Sequence, residues 1–206
     1  MRNHGMETPT HPEPWEVAIH EAGHAIVALR LGGALKSVSI VPGEYDGRDS
    51  YGGVSARHRK SLNECSPAYA VRRARIGAAV QFAGPLALAF VRAYKTGEAQ
   101  RGVVEGSDLR RAIAFLSWLE GQGRSFECEV GRAIDRAVET LNEPATLYGI
   151  VVLARVLLEY GTVDRRIALR VARGCEDVAH DPDPCDVSFA GIGDGAYMLE
   201  VAPQAA

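Results

Sequence analysis

The clearest pattern of apolar and polar positions runs from Trp15 to Gly32, where Val17, Ile19, Ile26, Val27, Leu29 and Leu31 supply one apolar surface at helical spacing. Pro12 and Pro14 suit the approach and first turn of such a helix, and Gly32-Gly33 is a stop signal. Gly23 lies in its interior at a cost of about 1 kcal/mol relative to alanine. That cost predicts another segment passing too close there to admit a side chain. Leu35–Val41 then alternates apolar and polar residues and predicts a strand. A loop rich in glycine and charge covers Pro42–Ser50, and Tyr51–His58 predicts a second, weaker strand. At a sheet edge such a strand binds extended peptide through main-chain hydrogen bonds; a plain hairpin fits the same pattern equally well.

Helical signals dominate the remainder. Ser66 and Pro67 read as the cap and first position of a helix that is basic at Arg72, Arg73 and Arg75 and apolar through Ile76, Val80 and Phe82. Those arginines read as a solvated face rather than a phosphate site. Gly84-Pro85 predicts a kink or break before Leu86–Tyr94 continues. Lys95–Gly106 reads as loop, and Gly106-Ser107-Asp108-Leu109 opens an amphipathic helix reaching Leu119. Helices are predicted over Phe126–Leu141 and Leu147–Tyr160, and a last one, capped by Thr162, reaches Ala172. From Gly174 the periodicity ends, and Pro182, Pro184 and acidic residues collect. The expected organisation is a flexible segment 1–13, with His4 and His11 in solvent, one domain over 14–174, and an acidic, proline-containing tail over 175–206. The expected fold is mainly α (α+β), with a small β-sheet beside the first helix.

Composition narrows the function. With 47% hydrophobic residues in 206, the chain can fill a core, and a net charge of −3 gives no electrostatic case for nucleic acid. Cys65, Cys128, Cys175 and Cys185 contain no C-x-x-C pair and do not form a disulfide framework, so a reducing cytoplasm is the expected location. Met1–Pro14 is polar where a secretory signal needs an apolar stretch, and Ala78–Val91 is too short and interrupted for a bilayer span. A soluble protein with no membrane partner is therefore expected. Cys175, His180 and Cys185 match no standard metal finger.

The first helix carries the chemistry. His20-Glu21-Ala22-Gly23-His24 sets two imidazoles four residues apart, on one helix face, where they can hold zinc. Glu21 borders that face and can take a proton from water. A catalytic zinc needs a third protein ligand from elsewhere. Asp108, in the first turn of its helix, suits that role, but it equally suits capping, and spacing alone does not choose. Glu105 and Asp135 come next in line. His58, among Arg57, Arg59 and Lys60, reads as part of a solvated turn.

The motif at 20–24, the strand and glycine-bearing loop after it, Gly-Ser-Asp-Leu at 106–109 and Leu-Leu-Glu-Tyr-Gly-Thr-Val-Asp at 157–164 together resemble the peptidase domain of the FtsH family of zinc metalloproteases. The likeness runs in the same order over roughly residues 13–172. It implies a helical zincin-type peptidase domain with zinc held by His20, His24 and Asp108, and with Glu21 as general base. The family's ATPase module and membrane anchor are not expected here, so the implied substrates are unfolded polypeptides or short peptides. An ATPase or adaptor acting in trans would be needed for folded ones. Two departures stand out: Pro85-Leu86-Ala87-Leu88 replaces an acidic pair, and Ser107 replaces an asparagine before the ligand aspartate. The competing expectations are a non-catalytic zinc-binding regulatory or interaction domain derived from such a peptidase, and a zincin of unrelated fold whose third ligand lies elsewhere.

Overall fold

Helix α1 (Pro14–Arg30) owes its burial to small residues: Ala18, Ala22 and Ala25 are inaccessible, with Ile26 and Val27 beside them. The computed structural model describes residues 12–45, 48–56, 60–174, 186–189 and 197–202. Along α1 lies α2 (Pro67–Thr96), and the two touch backbone to backbone at Gly23. A Cβ on Gly23 would sit 2.6 Å from the Ala87 Cβ and 3.0 Å from the Ala83 carbonyl oxygen. This is the close neighbour that the interior glycine predicts. At the outer end, Glu16 pairs with Arg92, and Lys95 Nζ lies 4.2 Å over the Trp15 ring.

Proline does not break α2. Pro85 lacks the N–H that would bond back one turn, yet the helix runs on to Thr96 and ends at Gly97 in the left-handed conformation (φ 66°). Phe82, Leu86 and Phe90 are buried on both sides of the proline. Packing against α1 therefore outweighs one missing main-chain bond, and of the predicted kink or break the break is corrected to a continuous helix. Helix α2 is long and apolar enough to cross a bilayer, but 67% of its apolar window is buried inside the fold.

Strand β1 (Ser37–Ser39) follows α1. The loop predicted next contains a hairpin, β2 (Gly43–Tyr45) with β3 (Arg48–Ser50), before β4 (Gly53–Ser55). The segment predicted as loop after α2 contains β5 (Gln100–Val104), which leads into α3 (Gly106–Gly121). Helices α4 (Phe126–Leu141) and α5 (Pro144–Tyr160) match the predicted positions to within a turn.

Thr162 does not cap the last helix. Thr162–Asp164 is strand β6, which pairs antiparallel with β1 to give the sheet order β4-β1-β6. The Thr162 hydroxyl instead meets Ser39 Oγ at 2.7 Å. Asp164 does the capping: its Oδ1 accepts from the N–H groups of Arg166 (2.8 Å) and Ile167 (3.0 Å) at the start of α6 (Arg165–Gly174). Within the stretch expected as a tail, β7 (Asp186–Phe189) and β8 (Tyr197–Ala202) form antiparallel strands, giving a second sheet ordered β5-β8-β7. The six α-helices among the described residues, with these small sheets, make the fold mainly α (α+β). His4, His11, His58, Cys175, His180 and Cys185 lie outside the described residues.

A buried carboxylate joins α2 to α4. Glu129, 1% exposed, accepts from Arg75 Nε (2.8 Å) and Nη2 (2.6 Å) and from Arg132 Nη1 (2.7 Å). Arg75 keeps 39% of its side chain exposed on the basic face and at the same time holds Glu129 in ordered fashion. The bonds from Arg75 hold the Glu129 carboxyl below its ordinary value of 4.5. A depressed folded-state pKa stabilises the fold above the unfolded value, and that stabilisation is lost as pH falls further through the folded one. Glu129→Gln is therefore expected to lower the urea midpoint at neutral pH, with the difference from the parent shrinking below about pH 4.5.

Candidate metal centre

Two helices far apart in the chain, α1 and α3, bring His20, His24 and Asp108 together. His20 Nε2 lies 2.9 Å from Asp108 Oδ2, His24 Nε2 lies 3.2 Å from the same oxygen, and the two Nε2 atoms are 3.0 Å apart. The rings meet edge to face, with centroids 4.6 Å apart. All three donor atoms fall within 4.8 Å of one another, and the group can hold a metal ion. Two imidazole nitrogens with one carboxylate oxygen also form a chemically apt set for a borderline divalent cation.

Each candidate ligand is aimed by its surroundings. His24 is buried, and its Nδ1 donates to the Val80 carbonyl of α2 at 2.6 Å, which fixes the ring and turns Nε2 to the cluster. The support comes from main chain, so the absence of an acidic pair after Gly84 leaves His24 oriented. Gly84 makes room for that ring: a Cβ there would lie 2.4 Å from His24 Nε2 and 2.7 Å from Cε1. His20 keeps 27% of its side chain exposed, against 6% for His24 and 12% for Asp108, so the cluster opens to solvent on the His20 side.

Asp108 had two readings from sequence, and its carboxylate oxygen turns to the two histidines. Helix α3 begins after Glu105, which makes no side-chain capping bond. Glu105 and Asp135 are exposed and stand outside the cluster, the one such group among the described residues. Burial alone would raise the Asp108 pKa; His24 and the bonds from both rings overcome that and hold it well below the usual carboxylate range. Burial likewise works against charge on His24, but the Asp108 carboxylate lifts its pKa to about 9. A proton and a metal cation thus compete for the same lone pairs. Asp108→Ala is expected to reduce bound metal at least tenfold at a fixed chelator concentration. Metal content equal to the parent's would move the third ligand elsewhere.

Glu21 borders the cluster. Burial raises its pKa, while the neighbouring histidines pull it down. The net rise brings a carboxylate towards the range useful to a general base. Gly52 covers it: a Cβ on Gly52 would stand 3.0 Å from Glu21 Cγ, 3.2 Å from Oε1 and 2.7 Å from the Ser39 carbonyl oxygen. The sequence did not mark Gly52 or the Val80 carbonyl, and it marked Gly84 as a helix breaker rather than as room for a histidine ring. The glycine doublet at 52–53 and the spacing Ala83-Gly84-Ala87 opposite Gly23 were the available signals. No family model matches the chain, and no curated protein matches it.

Proposed function

We propose that this protein is a zinc-dependent metalloendopeptidase that hydrolyses unfolded polypeptides or short peptides. The observation that carries the reading is the convergence of His20, His24 and Asp108 on one point with the buried Glu21 alongside. Donor separations of 2.9, 3.0 and 3.2 Å are close to the roughly 3.3 Å edge of a tetrahedron built from zinc–ligand arms of about 2.05 Å. When bound, zinc supplies a Lewis acid that acidifies water and polarises a carbonyl. Glu21 accepts the proton of the attacking water and returns it to the leaving amine. His24, braced by Val80, and Asp108 keep the donor set in place while His20 faces the opening.

Substrate enters as an extended chain. Strand β4 is an edge of its sheet, and the residue before it, Gly52, lies over Glu21, so a peptide paired with β4 passes the reacting groups without its sequence being read. Folded substrates would need an ATPase or adaptor acting in trans. The free thiols of Cys65 and Cys128 suit the reducing cytoplasm in which we place the enzyme.

Cleavage of casein and of a quenched fluorescent peptide, with and without chelator, tests the reading. Cleavage should stop on chelation and return with added zinc. Bound zinc with no cleavage of any unfolded substrate would leave a non-catalytic zinc-dependent binding or regulatory domain.

A further inference from the structure

We infer that the C-terminal hairpin, β7 with β8, positions the Asp108 carboxylate by clamping the strand that leads to it. The inference rests on Asp108 being a metal ligand. Strand β5 ends at Val104, and only Glu105, Gly106 and Ser107 separate it from Asp108. That connection cannot set the carboxylate by itself. All three residues are exposed, Glu105 makes no side-chain cap, and Gly106 adopts a left-handed conformation (φ 60°) with nothing within 4 Å of its Cβ position. The body of α3 is seated by its buried Ala112, Leu116 and Leu119, and the seat of β5 adds the constraint on where its first turn begins.

Strand β5 is seated on two sides. Its inner face rests on α2: Val104 is fully buried, and a Cβ on Gly102 would meet the Pro85 carbonyl oxygen at 3.1 Å. Its edge is held by β8 through the register Gln100↔Val201, Arg101↔Glu200, Gly102↔Leu199, Val103↔Met198 and Val104↔Tyr197. Among the described residues β8 is the one strand paired with β5, and β8 also contacts α2. Without its ladder partner β5 would keep only its seat on α2, and its outer main-chain groups would turn to water. The clamp therefore comes from residues far beyond the metal-binding helix, in a stretch whose sequence reads as a tail.

The test uses the full chain and reads metal, not turnover. Leu199 pairs with Gly102 on one side and Phe189 on the other, so Leu199→Pro removes a ladder donor from the middle of the sheet. Zinc affinity, measured by competition with a chromophoric chelator, is expected to fall tenfold or more, in the range found when support around a ligand is lost. The cobalt(II) ligand-field spectrum should shift as the carboxylate withdraws, with the helical circular dichroism retained. A second variant covers the case in which Leu199→Pro fails to fold. A protease site between β7 and β8 is cut after folding, the 197–206 peptide is removed, and affinity must fall and then recover when the synthetic peptide is added back. Exposed β5 amides by hydrogen exchange, with zinc affinity and cobalt spectrum unchanged, would overturn the positioning role alone. A parent chain that binds neither metal would overturn the metal centre and this role together.

Discussion

Glu21→Gln should retain zinc at the parent's stoichiometry and lose on the order of 10²–10⁴-fold in turnover of an unfolded peptide, the usual share of a general base. The side chains are nearly isosteric, and Glu21 is not among the cluster's donors, so the substitution removes a proton acceptor and little else. Metal content and peptide cleavage measured on the same preparation separate the two effects. Hydrolysis at the parent's rate would remove Glu21 from the reaction. Loss of zinc along with activity would mean that the carboxylate helps hold the metal.

Gly84→Ala is expected to damage the metal centre from behind. The added methyl would stand 2.4 Å from His24 Nε2, and the ring cannot retreat without giving up its bond to Val80. Zinc affinity should fall at least tenfold, and the overpacking should cost about 1–3 kcal/mol in urea unfolding. Gly131→Ala is the matched control. Its Cβ position in α4 is open, so the same chemical change there should stabilise by about 0.5–1 kcal/mol. Unchanged zinc affinity in Gly84→Ala would mean that His24 need not sit where the structure puts it.

Local signals in the sequence carried much of this arrangement. Helix α1, its two histidines and the close approach at Gly23 follow from spacing and from one costly glycine, all within a few turns of chain. By spacing alone Asp108 was legible only as an alternative, because a carboxylate in a first turn looks the same whether it caps or coordinates; the family resemblance singled it out. What escaped depends on partners distant in sequence. Strand β5 reads as loop because its ladder partner lies about a hundred residues later, and Thr162 reads as a cap because nothing nearby reveals that 162–164 pairs with 37–39. Pro85 signals a kink or break, and packing on α1 keeps the helix continuous through it.

The pairing of β1 with β6 also bears on how the protein is made. Ser37 leaves the ribosome long before Asp164, its opposite number, so the sheet next to α1 closes only after Asp164 has emerged. The two histidines emerge first and wait for Asp108, then for β6. A nascent chain therefore holds α1 without its finished sheet while later segments emerge, and the order of synthesis sets the order in which this half of the fold closes.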